Sequence, residues 1–146
     1  GVPAAIAAKA AHPDRPVVAL AGDGCFMMTG QELATAVQYR LPVVIIVVNN
    51  GMYGTIRMHQ ERNYPARVIG TDLANPDFPA LARAYGAAGY RVDVTDRFAP
   101  VFAEARARAE ETRLPALIEI ALDPQDITPR ETLDEIRARA SARSRD

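Results

Sequence analysis

Two short apolar runs, each rich in β-branched side chains and each closing on a polar cluster, constrain the fold of this chain most. Val17 to Ala21 closes on Gly22-Asp23-Gly24, and Val43 to Val48 closes on Asn49-Asn50, with 24 residues between the clusters. Such runs read as buried parallel strands. Both clusters then fall at strand carboxyl ends, where open α/β sheets bind their ligands. Asp23 offers a carboxylate and Asn50 an amide carbonyl, hard oxygens of the kind Mg²⁺ or Ca²⁺ takes while retaining water and phosphate oxygens. Gly22 and Gly24 let backbone approach a ligand where a Cβ would collide. The competing reading makes Asp23 a turn residue and Asn49 a loop cap that bonds its own backbone.

The rest of the chain alternates helix and strand. Pro3 to His12 is Ala-rich and opens with Pro, as a first helical turn allows. Thr29-Gly30-Gln31-Glu32 has the spacing of a capping box and predicts a helix from Gly30 to Tyr39, with Leu33, Ala36 and Val37 on one face and its start turned toward Asp23. Met52 to Asp72 has no clean period and is expected to be a mobile loop or short helix over the site. Asn75-Pro76-Asp77 leads into a helix from Phe78 to Tyr85, ended by Gly86, and Tyr90 to Val94 alternates as a strand. A helix from Phe98 to Glu111 turns Val101, Phe102, Ala105 and Ala109 inward, and Pro115 to Leu122 is the last strand. The order calls for right-handed crossovers and a three-layer α/β/α fold, its mainly parallel sheet covered on both faces. Residues 1–128 form one domain on this reading. Residues 129–146 form a carboxyl-terminal helix and tail, the helix running through Leu133, Ile136 and Ala140, acidic early and basic late; its Arg137, Arg139, Arg143 and Arg145 read as a solvated helix end with fraying last residues, against a basic binding tail as the sharper alternative.

Composition excludes several classes. A formal net charge of -1 argues against a nucleic-acid surface. The longest apolar run, Leu41 to Val48, is too short for a membrane span, which leaves a cytoplasmic protein as the expectation. A lone Cys25 forms no internal disulfide and is expected to be a small buried residue filling the turn after Gly24. There is no Gly-x-x-x-x-Gly-Lys-[Ser/Thr] loop and no Gly-x-Gly-x-x-Gly opening a helix. A non-catalytic Mg²⁺, phosphate or nucleotide-binding α/β module, or a structural oligomerising domain, is the alternative class.

The two-part pattern Gly22-Asp23-Gly24 to Asn49-Asn50, with the continuation Gly51-Met52-Tyr53-Gly54-Thr55-Ile56-Arg57-Met58-His59-Gln60 and the lead-in from Gly1 to Lys9, resembles thiamine diphosphate enzymes of the acetolactate synthase-like branch. The likeness runs from residue 1 to about residue 128. It implies the carboxyl-terminal, diphosphate-binding domain of that fold, truncated on its amino side. Mg²⁺ would be held by the Asp23 and Asn50 side chains and the main-chain carbonyl of Met52. Backbone amides of Gly24, Cys25, Gly54, Thr55 and Ile56 would face the diphosphate, with Gly22 and Asn49 beside it.

The same resemblance implies a 2-oxo acid decarboxylase or carboligase whose chemistry the bound cofactor carries. The glutamate that activates the cofactor belongs to a pyrimidine-binding domain, on the same parent chain or a second subunit, in a homodimer or homotetramer. Glu32, at a helix start, does not replace it, so no catalytic residue is assigned here and the chain is expected to be a fragment or a split subunit. Such a piece would expose an apolar patch around Pro3 to Ile6 and the covering loop and be prone to aggregate. Acetolactate synthases usually read Leu-Gly-Met-Val-Arg-Gln-Trp-Gln where this chain has Tyr53 to Gln60, so His59 stands in place of a tryptophan that helps form the pocket for the second oxo acid. His59 is either a substrate contact or a surface residue of the covering loop.

Overall fold

In a computed structural model of the protein, residues 1–143 are described, and the expected frayed end at residues 144–146 lies outside them. The chain forms two compact units. The first joins Gly1–Asn49 to Asn75–Ala121; the second joins Asn50–Ala74 to the segment from Leu122 onward.

The first unit is a four-stranded parallel sheet with helices on its faces. Its strands are β1 (Val17–Gly22), β2 (Val43–Asn49), β3 (Ala88–Val92) and β4 (Ala116–Ala121), in the spatial order β1-β2-β4-β3. Side chains alternate across a strand, so Ala19, Ala21, Val43, Ile45, Val47 and Leu117 share one face. There they pack with Val2, Ala5 and Ile6 of α1 (Val2–Ala11), Phe26 of α2 (Asp23–Thr29), Leu33 and Ala36 of α3 (Leu33–Gln38), and Phe78 and Ala82 of α5 (Phe78–Ala84). Val44, Ile46, Val92, Ala116 and Ile118 line the opposite face under Val101, Ala105 and Ala109 of α6 (Phe98–Thr112). The amphipathic spacings in the sequence are thus satisfied on two sides of one sheet, and β2, buried from Val43 to Val47, is one of its two inner strands.

The structure departs from the sequence reading at several places. Gly22-Asp23-Gly24 is no loop: β1 runs straight into α2, with Gly22 as N-cap and Asp23 in the first turn. Cys25 is exposed, not buried, because on that helix Asp23, Gly24 and Phe26 take the inward positions. The capping box does not form: Thr29 makes no side-chain cap, Glu32 instead accepts from Thr35 Oγ1 at 2.8 Å, and a 3₁₀ turn over Gly30–Glu32 precedes α3. Because α2 intervenes, this turn sits a whole helix past Asp23 instead of opening beside it. The sheet is also not covered everywhere. β1 is an edge strand whose Val18 and Leu20 are 47% and 69% exposed, while of the expected patch from Pro3 to Ile6 only Pro3 and Ala4 are outward and Ala5 and Ile6 are buried. The third strand lies earlier than its alternation suggested, since pairing with β4 runs from Ala88 to Val92 and leaves Val94 exposed past the end.

The second unit packs α4 (Gly54–Asn63) against α7 (Leu133–Arg143), with Leu133, Ile136 and Ala140 buried as the spacing predicts. The aperiodic stretch holds a ten-residue helix followed by a return that is pinned along its length. Gln60 both donates to and accepts from the Ile69 backbone, the Ala66 N–H donates to Glu61, and Met52 bridges Asp72. Arg137 is not a solvated tail residue: its guanidinium donates twice to the fully buried Glu61, at 2.6 and 2.8 Å.

Candidate functional site

In the first unit the site lies at the carboxyl ends of the strands. β1 delivers Asp23 to the first position of α2, where its carboxylate is 3% exposed. Each oxygen is held. Oδ1 accepts from the Gly24 N–H at 2.9 Å, and Oδ2 accepts from Asn75 Nδ2 at 2.7 Å. The same Asn75 nitrogen donates to Asn49 Oδ1 at 2.9 Å, and Asn49 Nδ2 donates to Glu119 Oε1 at 2.7 Å. Glu119, 2% exposed, occupies an inward position in β4 and meets Arg91 of β3 at 3.5 Å, an ion pair through its Oε2 without a hydrogen bond. Asn49 is therefore tied on both ends of its amide.

The second unit carries the other candidates. Asn50 Oδ1 accepts from the Met52 N–H at 3.2 Å, an Asx-type turn through Gly51, whose φ of +70° is the left-handed conformation glycine tolerates. Buried Met52 turns its carbonyl to the Gly54 N–H at 2.9 Å. The first intrahelical donor of α4 is Arg57, bonded to Tyr53, so Thr55 and Ile56 present their amides at the helix start, where N–H groups lack intrahelical acceptors. A Cβ on Gly54 would fall 2.6 Å from Ile127 Cδ1 and 2.8 Å from Asn50 Nδ2, so a larger residue there has to displace the Ile127 methyl and the Asn50 amide. His59 is exposed on α4.

Sequence reasoning missed Asn75 and Glu119. Asn75 precedes Pro76 and reads as a turn residue, and its contacts lie 26 and 52 positions away. Glu119 carries a usable signal: an acid at an inward position of an apolar strand. Missed too was Glu61, whose carboxyl is held at about 2 against an ordinary 4.5, first by its hydrogen bonds from Arg137, then by the Ala66 N–H and Arg57, against burial that pushes it up.

Each unit by itself offers hard donors: the first a buried, oriented carboxylate of the kind a divalent cation takes, the second an amide oxygen, a main-chain carbonyl and amides at a helix start. No three His, Cys, Asp or Glu side chains cluster as a metal site among the described residues. Residues 1–120 match the family model described as thiamine pyrophosphate enzyme, C-terminal TPP binding domain. The chain belongs to that family.

Among the relatives of this TPP-binding domain are an acetolactate synthase large subunit of Parasynechococcus marenigrum, 48% identical over 66% of this chain and 16% of that protein, and a pyruvate oxidase of Lactiplantibacillus plantarum, 39% identical over 97% and 23%. A thiamine diphosphate-dependent 4-hydroxybenzoylformate decarboxylase of Rhodococcus jostii RHA1 superposes with a TM-score of 0.73 at 37% identity, covering 84% of this chain and 23% of that one. The TPP-binding domain thus spans between a sixth and a quarter of the length of these relatives. No helix among the described residues is long and apolar enough to cross a membrane.

Proposed function

We propose that this TPP-binding domain anchors the diphosphate of thiamine diphosphate through Mg²⁺, with Asp23, Asn50 and the Met52 carbonyl as protein ligands and the amides of Cys25, Thr55 and Ile56 toward the phosphates. Gly22 and Gly24 keep side chains out of the way, Gly54 leaves room beside Asn50, and Asn49 holds the end of β2. The observation that carries the reading is Asp23: a buried carboxylate in the family's motif, at a strand carboxyl end, with each oxygen oriented by a hydrogen bond. In the Gly24 and Gly54 amides the reading is narrower than the motif implied, since the first donates to Asp23 and the second to the Met52 carbonyl.

The bound cofactor would supply an electron sink for a 2-oxo acid substrate in decarboxylation or carboligation. This chain's residues would bind and orient it. The glutamate that activates the cofactor is assigned to a partner, a pyrimidine-binding domain in a dimer or larger assembly. Support for the substrate class comes from the kinds of relative the chain matches, and His59 in place of tryptophan favours a pocket unlike that of acetolactate synthases.

Mn²⁺ uptake by the chain in the presence of thiamine diphosphate, followed by electron paramagnetic resonance and competed with Mg²⁺, tests the anchor. Saturable uptake of about one ion is expected, and Asp23→Ala should weaken it by more than about a hundredfold, since it removes a direct charged ligand and not an outer-shell partner. Undiminished uptake by Asp23→Ala would overturn the assignment.

A further inference from the structure

We propose that Asn75 is a positioning residue for the cation, the keystone of a polar relay that crosses the sheet from one edge to the other. The proposal rests on the cation reading of Asp23. Strand order is β1-β2-β4-β3, and the relay follows it: Asp23 after β1, Asn49 at the end of β2, Glu119 in β4 and Arg91 in β3. Between β1 and β2 the relay also passes through a side chain from outside the sheet. Asn75, carried in by the segment before α5, closes that step with one nitrogen that donates to Asp23 Oδ2 at 2.7 Å and to Asn49 Oδ1 at 2.9 Å.

The relay has a direction. Arg91 lies 3.5 Å from buried Glu119; Glu119 accepts from Asn49 Nδ2, which turns the Asn49 oxygen toward Asn75. A primary amide has two N–H donors, and Asn75 commits them to one oxygen at the start of α2, just past β1, and one at the end of β2. With the Gly24 N–H on Oδ1, the Asp23 carboxylate is held in one plane before any cation arrives. Outer partners of this kind orient metal ligands, and their loss typically costs ten- to a hundredfold in metal affinity. Asn75 touches no substrate in this role. It acts through Asp23.

The test measures Mn²⁺ affinity in the presence of thiamine diphosphate for the chain, Asn75→Ala and Asp23→Ala, alongside the ligand-free thermal melt of each. Asn75→Ala is expected to bind about ten- to a hundredfold more weakly while its ligand-free melt stays cooperative and well above the working temperature. Should Asn75→Ala not fold, Asn75→Ser is measured in its place, because a hydroxyl that short cannot span both oxygens. Cation affinity equal to that of the unsubstituted chain, with only the melt lowered, would show a merely structural role and overturn the proposal. If Asp23→Ala also retained full affinity, the cation reading itself would fall; loss in Asp23→Ala with none in Asn75→Ala sinks the positioning role alone.

Discussion

Gly89 in β3 shows how little room a single residue has in this fold. A Cβ there would sit 2.3 Å from the Pro79 carbonyl oxygen and under 3 Å from two further backbone atoms of α5. Backbone cannot swing aside as a flexible side chain can, so Gly89→Ala should destabilise by about 3 kcal/mol, at the upper end for overpacking. Denaturant midpoints for the two chains check it. An unchanged midpoint would mean that α5 moves without cost. At the same scale, Asp23 and Asn50 were legible because their residue types and strand-end positions already suit a hard cation. Asn75 was not, since an Asn before Pro carries turn chemistry in any context and only folding brings it to Asp23.

Among elements, the pairing of α4 with α7 turns on one buried acid. Glu61 is 0% exposed and receives Arg137 from α7 and Arg57 from its own helix. Its folded-state value of about 2 lies below the ordinary 4.5, so the pair stabilises fully above pH 4.5 and loses that contribution as pH falls toward 2. The shift corresponds to about 3 kcal/mol. Unfolding free energies of the unsubstituted chain and Glu61→Gln, followed from pH 6 to 2, should therefore converge by about that amount on the acid side. Parallel curves would refute the clasp. The helices themselves were partly readable: Leu133, Ile136 and Ala140 carry the spacing of a buried stripe, whereas α4 has no apolar face to announce it, because its inward anchor is a carboxylate.

At the scale of the molecule, the edge of the sheet at β1 leaves apolar side chains open. Val18 and Leu20 sit on the face that α6 covers over β2, β3 and β4 but not over β1. An exposed side chain contributes little to folding, so Leu20→Lys should change stability by less than about 0.5 kcal/mol and raise the concentration at which the chain stays monodisperse in light scattering. A loss several times larger would show that Leu20 is buried in solution.

What the residues alone determined is the class of fold and the place of the site. Short β-branched runs alternating with amphipathic helices admit few architectures besides a parallel sheet, and polar clusters at run ends mark its ligand edge. The tertiary structure decided which strands are neighbours, which face of β1 stays open, and which distant side chains meet: Asn75 with Asp23 and Asn49, Glu119 with Asn49, Arg137 with Glu61. Periodicity is a local property, written along a few turns or pleats, whereas a hydrogen bond between residues 52 or 76 positions apart exists only once crossovers and packing have brought their segments together.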